Sequence, residues 1–157
     1  LNDIYFHWMF DILPRIELLH QSGIDLTGID KFLVSNRLPF QKETLQALEV
    51  PEIKILETEK YPHIQATRLV VPSFPGTIAW MPKKACDFLR STFLDEKAIA
   101  ASEKIDRLYI SRNQAGNRRI INEDELIGLL TNFGFKSVTL ESMSVTEQAA
   151  LLANAKV

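Results

Sequence analysis

Of the 157 residues only one, Cys86, is a cysteine. An internal disulfide is therefore impossible, and no metal site can rest on cysteine pairs; a reducing compartment is the expectation that follows. No uninterrupted apolar run reaches the ~18 residues of a membrane span. The N-terminus also lacks the basic segment, apolar stretch and cleavage site of a secretory leader. An excess of one charge is missing as well: 18 Lys+Arg against 20 Asp+Glu leave a net charge of −2. Bulk attraction to nucleic acid or anionic lipid is excluded, and any anion site has to be local. Glycine is sparse, at six residues, and nowhere falls into P-loop or GxGxxG spacing. There is no Asp-x-Asp pair of the sort that holds a metal-bound sugar nucleotide, and His20 and His63 have no spaced metal-ligand partners.

What is there is ordinary globular material. Hydrophobic residues make up 46% and charged residues 24%, which excludes disorder and disulfide scaffolds, and the length suits one domain or two small ones. Residues 3 to 21 are apolar almost all round, as in a buried helix, with a kink or fresh start expected at Pro14 and a stop at Gly23. Strands are expected at Lys31–Ser35, Ile53–Glu57 and Thr67–Val71, and a helix over Leu38–Leu48 with Pro39 in its first turn. Three prolines and Gly76 between Pro72 and Pro82 argue against regular structure there. A helix from about Lys83 to Phe93 follows.

Residues 95 to 106 are charged and alanine-rich and read as a connecting helix or linker, dividing a first domain (1–94) from a second (107–157). Beyond them strand and helix alternate: Arg107–Ser111, Glu123–Asn132, Lys136–Leu140, Val145–Ala155. Asn122 is the expected cap of the first helix, and Ser144 with Glu147 makes a capping box for the second. Such alternation implies βαβ units, so the expected fold class is α/β with parallel sheets. The chain opens on Leu1 rather than Met and ends at Val157 in what reads as the start of another strand, so a fragment is expected.

Two constellations could carry chemistry. Between the strand RLYIS and the helix at Glu123 lies Arg112-Asn113-Gln114-Ala115-Gly116-Asn117-Arg118-Arg119, which leaves a strand's carboxyl end and enters a helix N-terminus. Ligands of open α/β sheets bind at that place, and arginine grips phosphate oxygens with paired hydrogen bonds while keeping its charge. The loop is either a phosphate or diphosphate site, or a solvated loop whose arginines pair with Glu123, Asp124 and Glu125. The second constellation is His7, Asp11 and Arg15, spaced by four on an otherwise apolar helix. Facing a cleft, Asp11 would orient or acidify His7 as a general base requires; otherwise the stripe is the wet face of a core helix. Trp80 could stack on a sugar or base, but packing on the following helix is the expectation. Cys86 is expected to be inert packing.

Read together, these residues resemble glycosyltransferase family 61. The family's aromatic-rich NYxHWxxDxLPR-like segment corresponds to Tyr5-Phe6-His7-Trp8-Met9-Phe10-Asp11-Ile12-Leu13-Pro14-Arg15. Its YISR segment corresponds to Tyr109-Ile110-Ser111-Arg112, followed here by Arg118-Arg119 and Asn122-Glu123-Asp124-Glu125-Leu126. The stretch from Gly134-Phe135 through Glu141-Ser142-Met143-Ser144 to Glu147-Gln148 matches too.

The resemblance implies a GT-B architecture, two Rossmann-like domains facing across a cleft, and inverting transfer of a sugar from a nucleotide donor to a glycan or glycoprotein acceptor, with no obligatory metal and no other cofactor. It implies polysaccharide biosynthesis in the cytoplasm or at a membrane periphery. A later HGAGLTN-type segment of the family is absent, so the expected content is the first domain and the opening of the second, inactive by itself. On this reading Arg112 stabilises the diphosphate with Arg118 or Arg119 assisting and Asn113 beside them. His7, oriented by Asp11, is base or acceptor-positioning residue, and Arg15 reaches across the cleft or pairs with Asp11. A non-catalytic phosphate- or nucleotide-binding module is the alternative; a nucleic-acid partner is not expected, because the basic residues are confined to one loop.

Overall fold

A computed structural model describes residues 3–157. The chain divides into two compact units, the first running to Phe93 and the second from Leu94 to Val157. Each is a mixture of helices with one small parallel sheet.

The first unit begins with α1 (Tyr5–His7), which passes directly into a π turn at Trp8–Ile12 and then into α2 (Pro14–Gln21). Pro14 is the cause. It has no N–H to donate and its ring crowds the carbonyl of residue 10, so a regular α turn cannot run through it. The chain widens instead: Leu13 N–H donates to Trp8 O, five residues back, at 3.0 Å, and Pro14 opens the new helix at its first position. The expected fresh start is therefore seen, with a π turn as its local form. Gly23, at φ +73°, stops α2.

Trp8 is the centre of this unit, fully buried, with its indole N–H on Thr44 Oγ1 at 2.9 Å. Thr44 belongs to α3 (Pro39–Ala47), whose Phe40 ring meets the edges of both Trp8 and Tyr5. Pro39 opens α3, and the buried Gln41 turns its Oε1 back to accept from the N–H groups of Arg37 and Leu38, each at 2.9 Å. Otherwise orphaned donors at a helix start are thereby satisfied.

The expected strands at Lys31–Ser35 and Ile53–Glu57 shorten to β1 (Phe32–Leu33) and β2 (Ile55–Leu56), paired in parallel. Thr67–Val71 is not a strand. Its side chains are exposed and no ladder engages it among the described residues; a β-branched run needs an edge to pair with, and Pro72 supplies none. Residues 58–82 hold no helix or strand, and α4 (Lys83–Phe93) follows them, burying Ala85 and Phe93.

In the second unit, residues 95–106 contribute α5 (Glu96–Ala101), held to α7 (Val145–Asn154). Asn154 donates to Ile99 O at 2.9 Å and Ser102 donates to Ala150 O at 3.2 Å. Strand β3 (Leu108–Ile110) leads through the arginine loop to α6 (Glu123–Asn132), then to β4 (Lys136–Val138), which pairs with β3 in parallel. Ile105, Val138 and Leu151 form the core, with Leu108, Leu140 and Met143 against it.

After α7 the chain returns to the other edge of β3: Leu108 N–H donates to Val157 O at 2.7 Å and Val157 N–H to Asp106 O at 3.0 Å, a parallel pattern. The connection from β3 thus leads to one of its edges and the next, from β4 through α7, to the other. That reversal of strand order is a topological switch point, the place where open α/β sheets form a crevice beyond their carboxyl ends.

The capping box is present, with Glu147 N–H on Ser144 Oγ at 3.2 Å and Ser144 N–H on Glu147 Oε2 at 2.7 Å. The backbone and hydroxyl donors of Ser144 hold the Glu147 carboxyl below the usual carboxylate range. Asn122 departs from expectation. It stands before α6 without a side-chain capping bond, and its amide N–H donates to Glu125 Oε2 at 3.3 Å.

Candidate functional site

In the first unit the π turn brings His7 and Asp11 together. His7 Nδ1 donates to Asp11 Oδ2 at 2.6 Å, and Asp11 is only 1% exposed. Opposite an ionised carboxylate, which can only accept, Nδ1 is the donor, and Nε2 is the ring nitrogen left outside this bond. Asp11 is thus buried rather than solvated, while its pairing with His7 is the i,i+4 contact that a purely structural helix stripe would also make. The second oxygen of Asp11, with the first, faces the backbone N–H of Ala79, at 3.3 and 3.4 Å. Arg15 does not pair with Asp11; it donates to Pro72 O and lies over the Phe74 ring, 5.1 Å from its centroid. Asp11 and Arg15 together moor the irregular 72–82 segment to the helix.

That mooring is invisible in the sequence, where Asp11 and Ala79 are separated by 68 residues. Ala79 adopts φ +65°, a left-handed conformation that costs a residue with a Cβ about 1–2 kcal/mol, and the carboxylate acceptor offsets that strain locally. Trp80 follows at once and is 67% exposed. The expectation that it packs on the next helix is overturned: the turn closed by Trp80 N–H on Thr77 O, at 3.0 Å, directs the indole to solvent. Cys86 is half-buried, its thiol 3.9 Å from Met81 O.

In the second unit the carboxyl end of β3 is built around Glu123, a residue read from the sequence as a helix-opening acid and a candidate ion-pair partner of the loop arginines. Its carboxylate is buried and accepts from Tyr109 Oη at 2.8 Å, Ser111 Oγ at 3.1 Å and Arg112 N–H at 3.1 Å. Tyr109 and Ser111 are two apart on a strand, so both side chains leave the same face. The Y-x-S-R spacing followed by a helix-opening glutamate is the signal that could have found this latch. The Tyr109 bond is the largest cause holding the Glu123 carboxyl below the usual range, followed by the Arg112 and Ser111 donors, while burial opposes them. The same bond, aided by burial, raises the Tyr109 phenol.

The latch settles the fate of the loop's carboxylate partners. Glu123 is taken by the strand end, and among the described residues no ion pair joins Arg112, Arg118 or Arg119 to Glu123, Asp124 or Glu125. Arg112 braces the loop instead: its Nε donates to Arg118 O at 3.2 Å and its Nη2 to Asn117 O at 3.3 Å. Three of its five N–H groups stay outside these bonds. Arg118 stands at φ +54°, and Arg118 and Arg119 are exposed. Asn113 N–H donates to Ser111 Oγ at 3.2 Å. Positive charge from Arg112, Arg118 and Arg119 is thus gathered at a strand end beside a helix N-terminus whose first turn carries Glu123, Asp124 and Glu125.

Among the described residues no three His, Cys, Asp or Glu side chains cluster as a metal site, and no helix is long and apolar enough to cross a membrane. A family model described as Glycosyltransferase 61 matches residues 5–157, a span that holds both constellations. No curated protein and no solved structure matches the chain.

Proposed function

The chain belongs to glycosyltransferase family 61, and on that premise we propose that it serves inverting transfer of a sugar from a nucleotide-sugar donor to a glycan or glycoprotein acceptor. The reading includes the GT-B architecture of two Rossmann-like domains and charge stabilisation by arginine rather than by a metal ion. The observation that carries it is the cationic loop at the carboxyl end of β3, beside a switch point and, among the described residues, without ion pairs to the acidic turn that follows it.

Transfer at an anomeric carbon needs two things: a base for the acceptor hydroxyl, and charge stabilisation for the departing diphosphate. His7 takes the first role. Asp11 holds its Nδ1 proton, orients the ring and stabilises the imidazolium that forms when Nε2 accepts the hydroxyl proton. Arg112 takes the second with its three remaining N–H groups, assisted by Arg118, Arg119 and Asn113, and its fixed charge grows in value as negative charge develops on the leaving group. Inversion follows if the acceptor oxygen attacks opposite the diphosphate in one displacement.

In the catalytically competent protein, His7→Ala and Arg112→Ala are each expected to lower turnover about a hundredfold or more, and Arg119→Ala far less. The product's anomeric configuration, read by proton NMR, is expected to be opposite to the donor's. Retained configuration, or equal and small losses for Arg112→Ala and Arg119→Ala, would count against the assignment. Nucleotide binding with no transfer to any acceptor would favour a non-catalytic module.

A further inference from the structure

We propose that Trp80 is the stacking platform for a pyranose ring of the acceptor, carried on the segment that the Asp11 carboxylate ties to the His7 helix. This rests on the transferase reading above and adds a binding subsite to it. Three observations lead there. Trp80 is a large aromatic ring left 67% exposed in a unit whose other tryptophan is fully buried. Its backbone is fixed on the N-terminal side, by Ala79 N–H on Asp11 and by its own N–H on Thr77 O. And the carboxylate that fixes it is the one that orients His7. A single group, nearly inaccessible to water, thus joins the His7 ring to the backbone amide that precedes Trp80.

The chemistry of the partner follows from that pairing. A pyranose presents axial C–H groups on one face, which carry slight positive charge and meet the electron-rich face of an indole. Its rim carries hydroxyls, one of which must reach a proton acceptor to become a nucleophile. Trp80 supplies the plane and His7 Nε2 the acceptor. Ala79, just before Trp80, holds a left-handed backbone, and such strain persists where the surroundings overdetermine it.

Tryptophan fluorescence tests this directly, because the chain has two tryptophans and Trp8 is sealed in the core. Titration with methyl pyranosides of xylose, glucose, galactose, mannose and N-acetylglucosamine is expected to change the Trp80 emission with at least one of them. Trp80→Ala is expected to weaken binding of that saccharide about tenfold or more by NMR, with Trp80→Phe recovering part of the loss. Blue-shifted emission from the buried Trp8, unchanged in the variant, is the expected sign that the variant is folded.

Saccharide binding that survives intact in Trp80→Ala overturns the proposal, as does a native chain whose Trp80 emission responds to none of the five. Nucleoside diphosphates titrated in parallel keep the two readings apart. If saccharide binding depends on Trp80 while neither UDP nor GDP binding depends on Arg112, the platform stands and the transferase assignment of the arginine loop fails.

Discussion

In the first unit the buried carboxylate of Asp11 joins a side chain, His7, to a distant backbone amide, whereas in the second the buried carboxylate of Glu123 joins two strand hydroxyl donors and the amide of Arg112. Asp11 holds the imidazole ring of His7 by its Nδ1. Glu123 holds no reactive side chain at all; it pins the root of a loop and removes itself as a partner for the arginines. Acidic residues near a cationic loop therefore need not neutralise it. A carboxylate fully engaged with hydroxyl and amide donors leaves neighbouring guanidinium groups available to a ligand.

Removing the scaffold beneath the first of these sites should have the largest effect. Trp8→Ala leaves a cavity under the π turn and strips Thr44 of the indole donor, so a loss of about 3–5 kcal/mol is expected in denaturant unfolding. Asp11→Ala comes next, at about 1–3 kcal/mol, because it leaves His7 Nδ1 and Ala79 N–H without their acceptor; Asp11→Asn should recover part of this by offering one oxygen. If Asp11→Ala were neutral, the carboxylate would not be the joint between helix and loop.

The second latch should reveal itself through pH. Because the Glu123 carboxyl titrates lower in the folded state than in the unfolded chain, its stabilisation is complete above the ordinary glutamate range, about pH 4.3, and is withdrawn as pH falls through the folded value. Tyr109, raised by the same bond, gives the opposite limb: stabilisation complete below about pH 10 and lost as pH rises through the folded value. Amide exchange at residues 111–119 is expected to accelerate at both limits, and Glu123→Gln to remove the acid limb. An unchanged acid limb in that variant would contradict the latch. The smallest effect is expected from Arg119→Ala, which should leave Tm unchanged, since an exposed side chain away from the core and the latch contributes little to folding.

Elements with strong local signals are legible in the sequence. The Ser144–Glu147 box and the Pro14 restart are decided by groups within a few residues of one another, and so is the span of α6, Glu123–Asn132. Thr67–Val71 has strand-like composition but no ladder, because pairing depends on an available edge rather than on β-branching. Asn122 has a capping residue's identity and uses its amide elsewhere. In the sites, His7, Asp11 and the arginine loop can be picked out from spacing, and the family they resemble is the family the chain belongs to. The partners of the two carboxylates cannot. Ala79 is remote in sequence, and whether Glu123 faces solvent or the strand end depends on how α6 docks against β3.

Everything proposed for the second unit turns on whether the loop from Arg112 to Arg119 receives a diphosphate. Titrating the isotope-labelled chain with UDP, and with GDP in parallel, while recording amide chemical shifts addresses this most directly, since NMR registers even millimolar binding. Shifts concentrated at residues 111–119 and the first turn of α6 are expected, abolished by Arg112→Ala and weakened at higher salt. Shifts centred elsewhere, or shifts at these residues that persist in Arg112→Ala, would contradict the assignment.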